Sequence, residues 1–262
     1  MALSIDLITI GVPDLEAARG FYTSALAGDD QTADLDLHGA GKLALHQTGT
    51  LAGEAGTDPV TSGFRGCVLS VIVKQPDEVE FLLDAATAHG ATVVKPAKKQ
   101  LFGEFTAVYR APDGTVWKLA AATKKNTAPV TSPITPVETA AYLGVAKPSA
   151  AKAFYQALGM TTDRDYGDKF IDFTVAPGVS RLGLLPRKAL AKDAGVDERG
   201  NGFSGVVLAH TAASRQDLDA LLKTADAAGG RITAPVTQND RGDHIGHFAD
   251  PDGHHWRITA PA

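Results

Sequence analysis

The second half of this chain repeats the first. Gly63-Phe64-x-Gly66 returns as Gly202-Phe203-x-Gly205, and from there two long segments run in register without a gap. Val68-Leu69 falls on Val207-Leu208, Leu82-Leu83 on Leu221-Leu222, Gly90 on Gly229, Pro96 on Pro235 and Gly103 on Gly242. The stretch closes with Pro112-Asp113-Gly114-x-x-Trp117 over Pro251-Asp252-Gly253-x-x-Trp256. Earlier, Ala17-Ala18-Arg19-x-Phe21-Tyr22 is matched by Ala150-Ala151-Lys152-x-Phe154-Tyr155. Self-similarity at a fixed offset marks a duplicated structural unit. The fold must therefore be one that about 120 residues make twice. Residues 1–122 and 137–262 are the two modules. Residues 123–136, rich in Thr and Lys and carrying three prolines, read as the linker between them.

Each module carries the same local signals. A short apolar strand opens it, over Leu7 to Val12 and Ala141 to Val145. Asp14 or Ser149 then stands where a short polar side chain caps a helix. Leu15, Ala18, Tyr22 and Leu26 give the first helix one apolar face. Strands are expected at Asp34 to His38, Lys42 to Gln47, Lys169 to Val175 and Ser180 to Leu185, the third of these alternating as a half-buried strand should. Thr48 to Ser62 and Arg187 to Asn201 read as loops. Strands follow at Cys67 to Val73 and Val206 to Thr211. The next helices are amphipathic through Val79, Leu82, Leu83 and Ala86, and through Leu218, Leu221, Leu222 and Ala225. Gly90 and Gly229 terminate them. A last hairpin turns at each Pro-Asp-Gly. Every module is thus β-α-β-β twice over, a pair of half-modules. The expected class is α+β: tandem βαβββ modules forming two curled mixed sheets, open barrels with helices outside, each module curling its own sheet around a pocket.

Composition narrows the function. A net charge of −5 without a clustered basic face argues against nucleic-acid binding. No stretch approaches a membrane span and no leader-like segment opens the chain, so a cytoplasmic protein is expected. The single cysteine, Cys67, excludes an internal disulfide and reads as a buried small hydrophobe. No phosphate-binding loop accompanies the glycines of 63–66 or 197–202, and no Gly-x-Ser-x-Gly nucleophile elbow occurs.

Two motifs carry a family likeness: Val12-Pro13-Asp14-Leu15-Glu16-Ala17-x-x-x-Phe21-Tyr22 and Ala249-Asp250-Pro251-Asp252-Gly253-His254-His255-Trp256. With the weaker Ala111-Pro112-Asp113-Gly114-x-x-Trp117, they resemble the vicinal oxygen chelate superfamily, which contains glyoxalase I, bleomycin-resistance proteins and extradiol dioxygenases. Nearly the whole chain except the linker is covered. In metal-dependent members the resemblance implies a divalent ion held by a His on the first strand, a His or Gln at the start of the later strand, and a Glu after the final turn. Those positions fall here on Leu7 and near Ala140, near Cys67 and Val206, and on Lys118 and Arg257. Aliphatic and cationic side chains stand where ligands should be, so neither a metal nor another cofactor is expected.

Other residues compete for the site. Five of the eight histidines, His210, His244, His247, His254 and His255, lie late in the second module. His244 and His247 are three apart and diverge on a strand, as do the adjacent His254 and His255, so structural or surface histidines are the better reading. His255 and Arg257 share a strand face, as do Val116 and Lys118; by the resemblance this is the cavity face, where a cation holds a ligand carboxylate or phosphate. Phe102, Phe105 and Tyr109 suggest an aromatic wall in the first module, and Tyr166, Phe170 and Asp172 raise the same question in the second. The expected site is therefore His255, Arg257, Lys118, Phe102, Phe105, Tyr166 and Asp172, with the better pocket in the second module. The expected function is metal-independent small-molecule binding of the bleomycin-resistance kind, as a monomer or homodimer. The alternative is a lyase or dioxygenase using ligands elsewhere.

Overall fold

A computed structural model describes residues 2–26, 34–100 and 103–262. Its elements fall into four half-modules. The first holds β1 (Leu7–Val12), α1 (Leu15–Leu26), β2 (Leu35–Asp36), β3 (Lys42–Gln47) and α2 (Thr48–Glu54). The second holds β4 (Thr61–Gly63), β5 (Cys67–Val73), α3 (Pro76–Ala88), β6 (Thr92–Lys99), β7 (Phe105–Arg110) and β8 (Val116–Ala121). In the second copy come β9 (Glu138–Val145), α4 (Pro148–Ala157), β10 (Thr162–Asp165), β11 (Ile171–Phe173), β12 (Arg181–Pro186) and α5 (Arg187–Ala194). The last half-module is β13 (Gly200–Gly202), β14 (Val206–Thr211), α6 (Arg215–Ala227), β15 (Arg231–Gln238), β16 (His244–Ala249) and β17 (His255–Ala260).

Two large mixed sheets result, but neither belongs to one copy. The seven-stranded sheet runs β15-β16-β17-β14-β1-β3-β2, and the eight-stranded sheet runs β10-β11-β12-β9-β5-β8-β7-β6. The first joins the opening half of copy one to the closing half of copy two; the second joins the remaining halves. The seams are antiparallel, Thr9 facing Val207 in one and Tyr142 facing Val68 in the other. This corrects the expectation that each module curls its own sheet. Strand pairing is a long-range choice that alternation along one strand does not encode. A two-stranded ribbon, β4 with β13, joins the copies again. Its glycines are there because the backbones nearly touch: a Cβ on Gly63 would stand 2.2 Å from the Arg199 carbonyl oxygen, and one on Gly202 2.1 Å from that of Val60. The repeated Gly-Phe-x-Gly is thus a clasp between copies rather than an ordinary loop.

Within a copy, the halves meet through helices instead. α1 packs on α3 and α4 on α6. α3 and α6 bury the expected residues, whereas α1 buries Ala18, Phe21, Tyr22, Ala25 and Leu26 and leaves Leu15 exposed. The Phe-Tyr and Asp-Gly-x-x-Trp motifs find their use here. Tyr22 donates to Asp113 at 2.6 Å and accepts from the Trp117 indole; Tyr155 donates to Asp250 at 2.7 Å and accepts from Trp256. Asp250 precedes the Pro-Asp-Gly turn whereas Asp113 lies inside it, so the two copies solve one buried polar problem with different carboxylates. Residues 123–136 form no helix or strand, yet they are strapped down: buried Gln75 accepts from the Thr127 and Ala128 amides and donates to the Ala128 carbonyl. Among the described residues no helix is long and apolar enough to cross a membrane.

Candidate functional site

Each sheet buries one face against the helices and turns the other into a concavity, and strand alternation sorts the side chains. On β5 and β14 the residues facing the concavity are Val68 and Val207. Cys67 turns to the helix-side core, where burial pushes its thiol up to about 12. On β1 and β9, Thr9 and Tyr142 face inward, and on β8 and β17, Lys118 and Arg257 do. The positions that the family resemblance gives to metal ligands are therefore Leu7, Val207 and Arg257 in one sheet, and Ala140, Val68 and Lys118 in the other. Aliphatic groups offer no lone pair and the cations repel a metal ion, so these residues do not fit one. Among the described residues no group of three or more His, Cys, Asp and Glu is placed to hold a metal.

The eight-stranded sheet contains a cavity of about 380 Å³. Lys118 and Tyr142 form part of its floor, Leu185 and Leu190 an apolar side, and Arg164, Tyr166 and Phe170 a planar wall. The wall is layered: the Arg164 guanidinium lies 5.5 Å from the Phe170 ring centre, and the Tyr166 ring stacks on Phe170 at 6.3 Å. Asp172, fully buried on β11, fixes this wall from behind. It accepts from the Arg164 amide at 2.9 Å and from its guanidinium through Nε at 2.8 Å and through Nη2. Tyr142 lies flat because its neighbour is Gly183; a Cβ there would come within 2.5 Å of the ring. Burial pushes the Tyr142 hydroxyl up to about 12, so it enters the cavity as a neutral donor. Lys118 is not free: it pairs with Asp193 of α5 at 2.7 Å, while Lys95 holds the end of that helix through the Lys192 and Asp193 carbonyls. Hollows of similar size lie elsewhere, one at the ends of α1 and α3 and one beside Ile5 and Met160, but neither brings two cations and an aromatic wall together.

The seven-stranded sheet presents a different face. β16 and β17 set His247 opposite Arg257, and His255 lies two residues before Arg257 on the same side. His247 and His255 are 5% and 6% exposed. Burial first, and neighbouring cations second, push both imidazoles down to about 4. The Nδ1 atoms of both, the Arg257 Nε and the Thr9 hydroxyl are buried without a hydrogen-bond partner. Such an orphan costs about 1–3 kcal/mol. The remaining late histidines go elsewhere: His244 to Arg215, His254 to the Gly144 carbonyl and His210 to Ser4 and Asp6.

Of the residues expected from sequence, Lys118 and Tyr166 meet in the cavity, with Asp172 behind its wall. His255 and Arg257 stand together on the other sheet. Phe105 and Tyr109 pack into the helix-side core and make no cavity wall, because odd positions of β7 face the helices. Phe102 lies outside the described residues. The cavity takes most of its lining from the second module, with Glu104 and Lys118 contributed by the first. Sequence reasoning missed α2 and α5, which lie inside the two stretches expected to be loops. Their signal was a repeated apolar spacing, Leu51-Ala52-x-x-Ala55 and Leu190-Ala191-x-x-Ala194, obscured in α2 by two glycines.

Similarity follows the same lines. Residues 4–119 and 136–258 each match the sequence profile of the glyoxalase/bleomycin resistance protein/dioxygenase superfamily. Glyoxalase I from Zea mays has a similar fold (TM-score 0.61, 17% identity, 98% of this chain and 92% of that one). So does a candidate dioxygenase of Bacillus subtilis (TM-score 0.63, 16% identity, 99% and 85%). No protein of curated function matches the chain. At such identities the structures speak for fold alone, while the two profile matches extend over both copies: the chain belongs to the glyoxalase/bleomycin resistance protein/dioxygenase superfamily.

Proposed function

We propose that the protein binds a small planar molecule without a metal, holding it in the cavity of the eight-stranded sheet as a sequestering protein does. One observation carries this reading. The family's cavity position is built for stacking and hydrogen bonding, with Arg164, Phe170 and Tyr166 as the wall, over a floor whose metal-ligand positions are Ala140, Val68 and Lys118. A concave site with an apolar side and a few placed polar groups suits a ligand that is aromatic and carries an acidic or hydrogen-bonding substituent. Lys118 and Arg164 are the cations of the lining, each already paired with a carboxylate (Asp193 and Asp172); Asp193 and Glu104 at the mouth favour a ligand with a donor as well. A single chain suffices, because the two copies complete both sheets between them.

Two measurements test the proposal together. Elemental analysis of protein purified without chelators should find no stoichiometric Fe, Mn, Ni or Zn. A thermal-shift screen of aromatic acids and amides should find ligands that raise Tm by mass action. Their effect should shrink in Tyr166→Ala and Arg164→Gln. A stoichiometric transition metal that survives dialysis would favour a lyase or dioxygenase with unconventional ligands and overturn this reading.

A further inference from the structure

We infer that the concave face of the seven-stranded sheet is a second binding site, one that takes an oxyanion: a carboxylate or phosphate group held by Arg257, His247, His255 and Thr9. The register converges these groups. His247 is the direct cross-strand partner of Arg257, His255 is its same-face neighbour on β17, and Thr9 pairs with Val207, which itself pairs with His255.

Three observations point to a ligand beside the small cluster that Leu51, Ala52, Phe203 and Val207 pack on this face. First, His247, His255 and Thr9 are all more than nine-tenths buried, and each carries a polar atom with no partner, as does the Nε of Arg257. Buried polar groups are rarely left so, and four converging on one patch are an unfilled set of hydrogen-bonding positions. Second, Arg257 lacks a counter-charge, although the Asp250 carboxylate acts on His255. Lys118, at the equivalent place in the other sheet, is neutralised by Asp193, whereas Arg257 makes no ion pair among the described residues. The charges acting on His247 come from Arg257 and His255, with no carboxylate among them. Third, the imidazoles are neutral at physiological pH, so each has one N–H to donate, and the guanidinium supplies a charge-assisted fork. The guanidinium at its centre disfavours a cation, and the N–H groups around it suit an acceptor-rich anion. The equivalent positions of the other sheet, Val108, Val116 and Tyr142, offer only one polar group, so the two sites differ in ligand class.

The test uses the full chain and two non-aromatic probes, inorganic phosphate and acetate, against chloride at matched ionic strength. Calorimetry should give saturable one-to-one binding of at least one probe. The two probes separate a phosphate-bearing from a carboxylate-bearing ligand. Arg257→Gln should weaken binding at least ten-fold, while Lys118→Gln changes it less than two-fold. In the wild-type protein the His247 and His255 side-chain resonances should move on titration, a readout that survives even if the variant folds poorly. Two results overturn the inference: no saturable movement of those resonances with either anion, or binding that Lys118→Gln abolishes and Arg257→Gln spares. The second would leave the planar-ligand cavity standing, so the two proposals fail separately.

Discussion

The two concave faces began as one design and now differ in almost every inward-pointing side chain. Tyr142 lies over Gly183 in the eight-stranded sheet; Thr9 lies beside Ala44 in the seven-stranded one. One seam sets a large residue beside a glycine, the other two small residues side by side. Lys118 is neutralised by Asp193, whereas Arg257 stands among uncharged imidazoles. Duplication within one chain permits this divergence. Two identical subunits sharing sheets in the same way would have identical faces by symmetry; here each face evolves alone while the helix-side cores, both built on Phe-Tyr and Trp, remain alike.

The sharpest way to break the comparison is to separate the copies. Residues 1–122 alone contain β1 and β5 with their seam partners β14 and β9 removed, leaving two unpaired strand edges. The expected product is a homodimer that restores both seams, or an aggregate. A stable monomer with full β-content, by light scattering and circular dichroism, would contradict the shared-sheet architecture.

A smaller effect separates the faces by pH. His247 and His255 fold with pKa values pushed from 6.5 down to about 4, so below pH 6.5 the unfolded chain takes up protons that the folded one refuses. Their stabilisation is complete above pH 6.5 and is lost as pH falls towards 4, at a cost on the order of 3 kcal/mol for each site (2.303RT per pKa unit). Replacing both by valine, which copies Val108 and Val116 of the other face, should flatten urea-unfolding stability across that window. An unchanged slope in the double variant counts against buried neutral imidazoles.

Next in size is the exchange of the seam pair. Gly183→Ala puts a methyl group within 2.5 Å of the Tyr142 ring. It should destabilise the fold by about 1–3 kcal/mol through overpacking. It should also weaken planar-ligand binding at least ten-fold while sparing anion binding near Arg257. Restoring Tm with Tyr142→Thr in the same chain would confirm that the two residues compensate; additive losses would deny it. The mildest change frees Lys118: Asp193→Asn should cost about 0–1 kcal/mol, as a partly exposed ion pair does. It should raise the affinity of the cavity for aromatic anions over their neutral amides. Equal affinities before and after would mean that Asp193 does not mask the cation.

Local signals were legible because they are short-range. β1, β3, β5 and β14 lie where short strand-like segments were expected, and α3 and α6 bury the residues that their periodicity marks. α2 and α5 were hidden by glycines and a charged run, since one short helix carries little periodic signal. The site was half legible. Counting along a strand put Arg257 on one face with His255 and Lys118 on one face with Val116, and the family resemblance made that the cavity face. Arg164 and Asp193 could not be placed in this way, because their part in the site depends on elements from far along the chain arriving beside β8.

The sequence by itself determined the duplication, the kinds and order of most elements, and the absence of good ligands at the family's metal positions, because these rest on residue identity and on periods of two and 3.6. Only the tertiary structure decided which half-module pairs with which, and so that both concavities are shared between copies. It also decided which cation is neutralised and which polar atoms stay unpartnered. Strand edges look alike from within one strand, and a charge meets or misses its partner only once the sheets have closed.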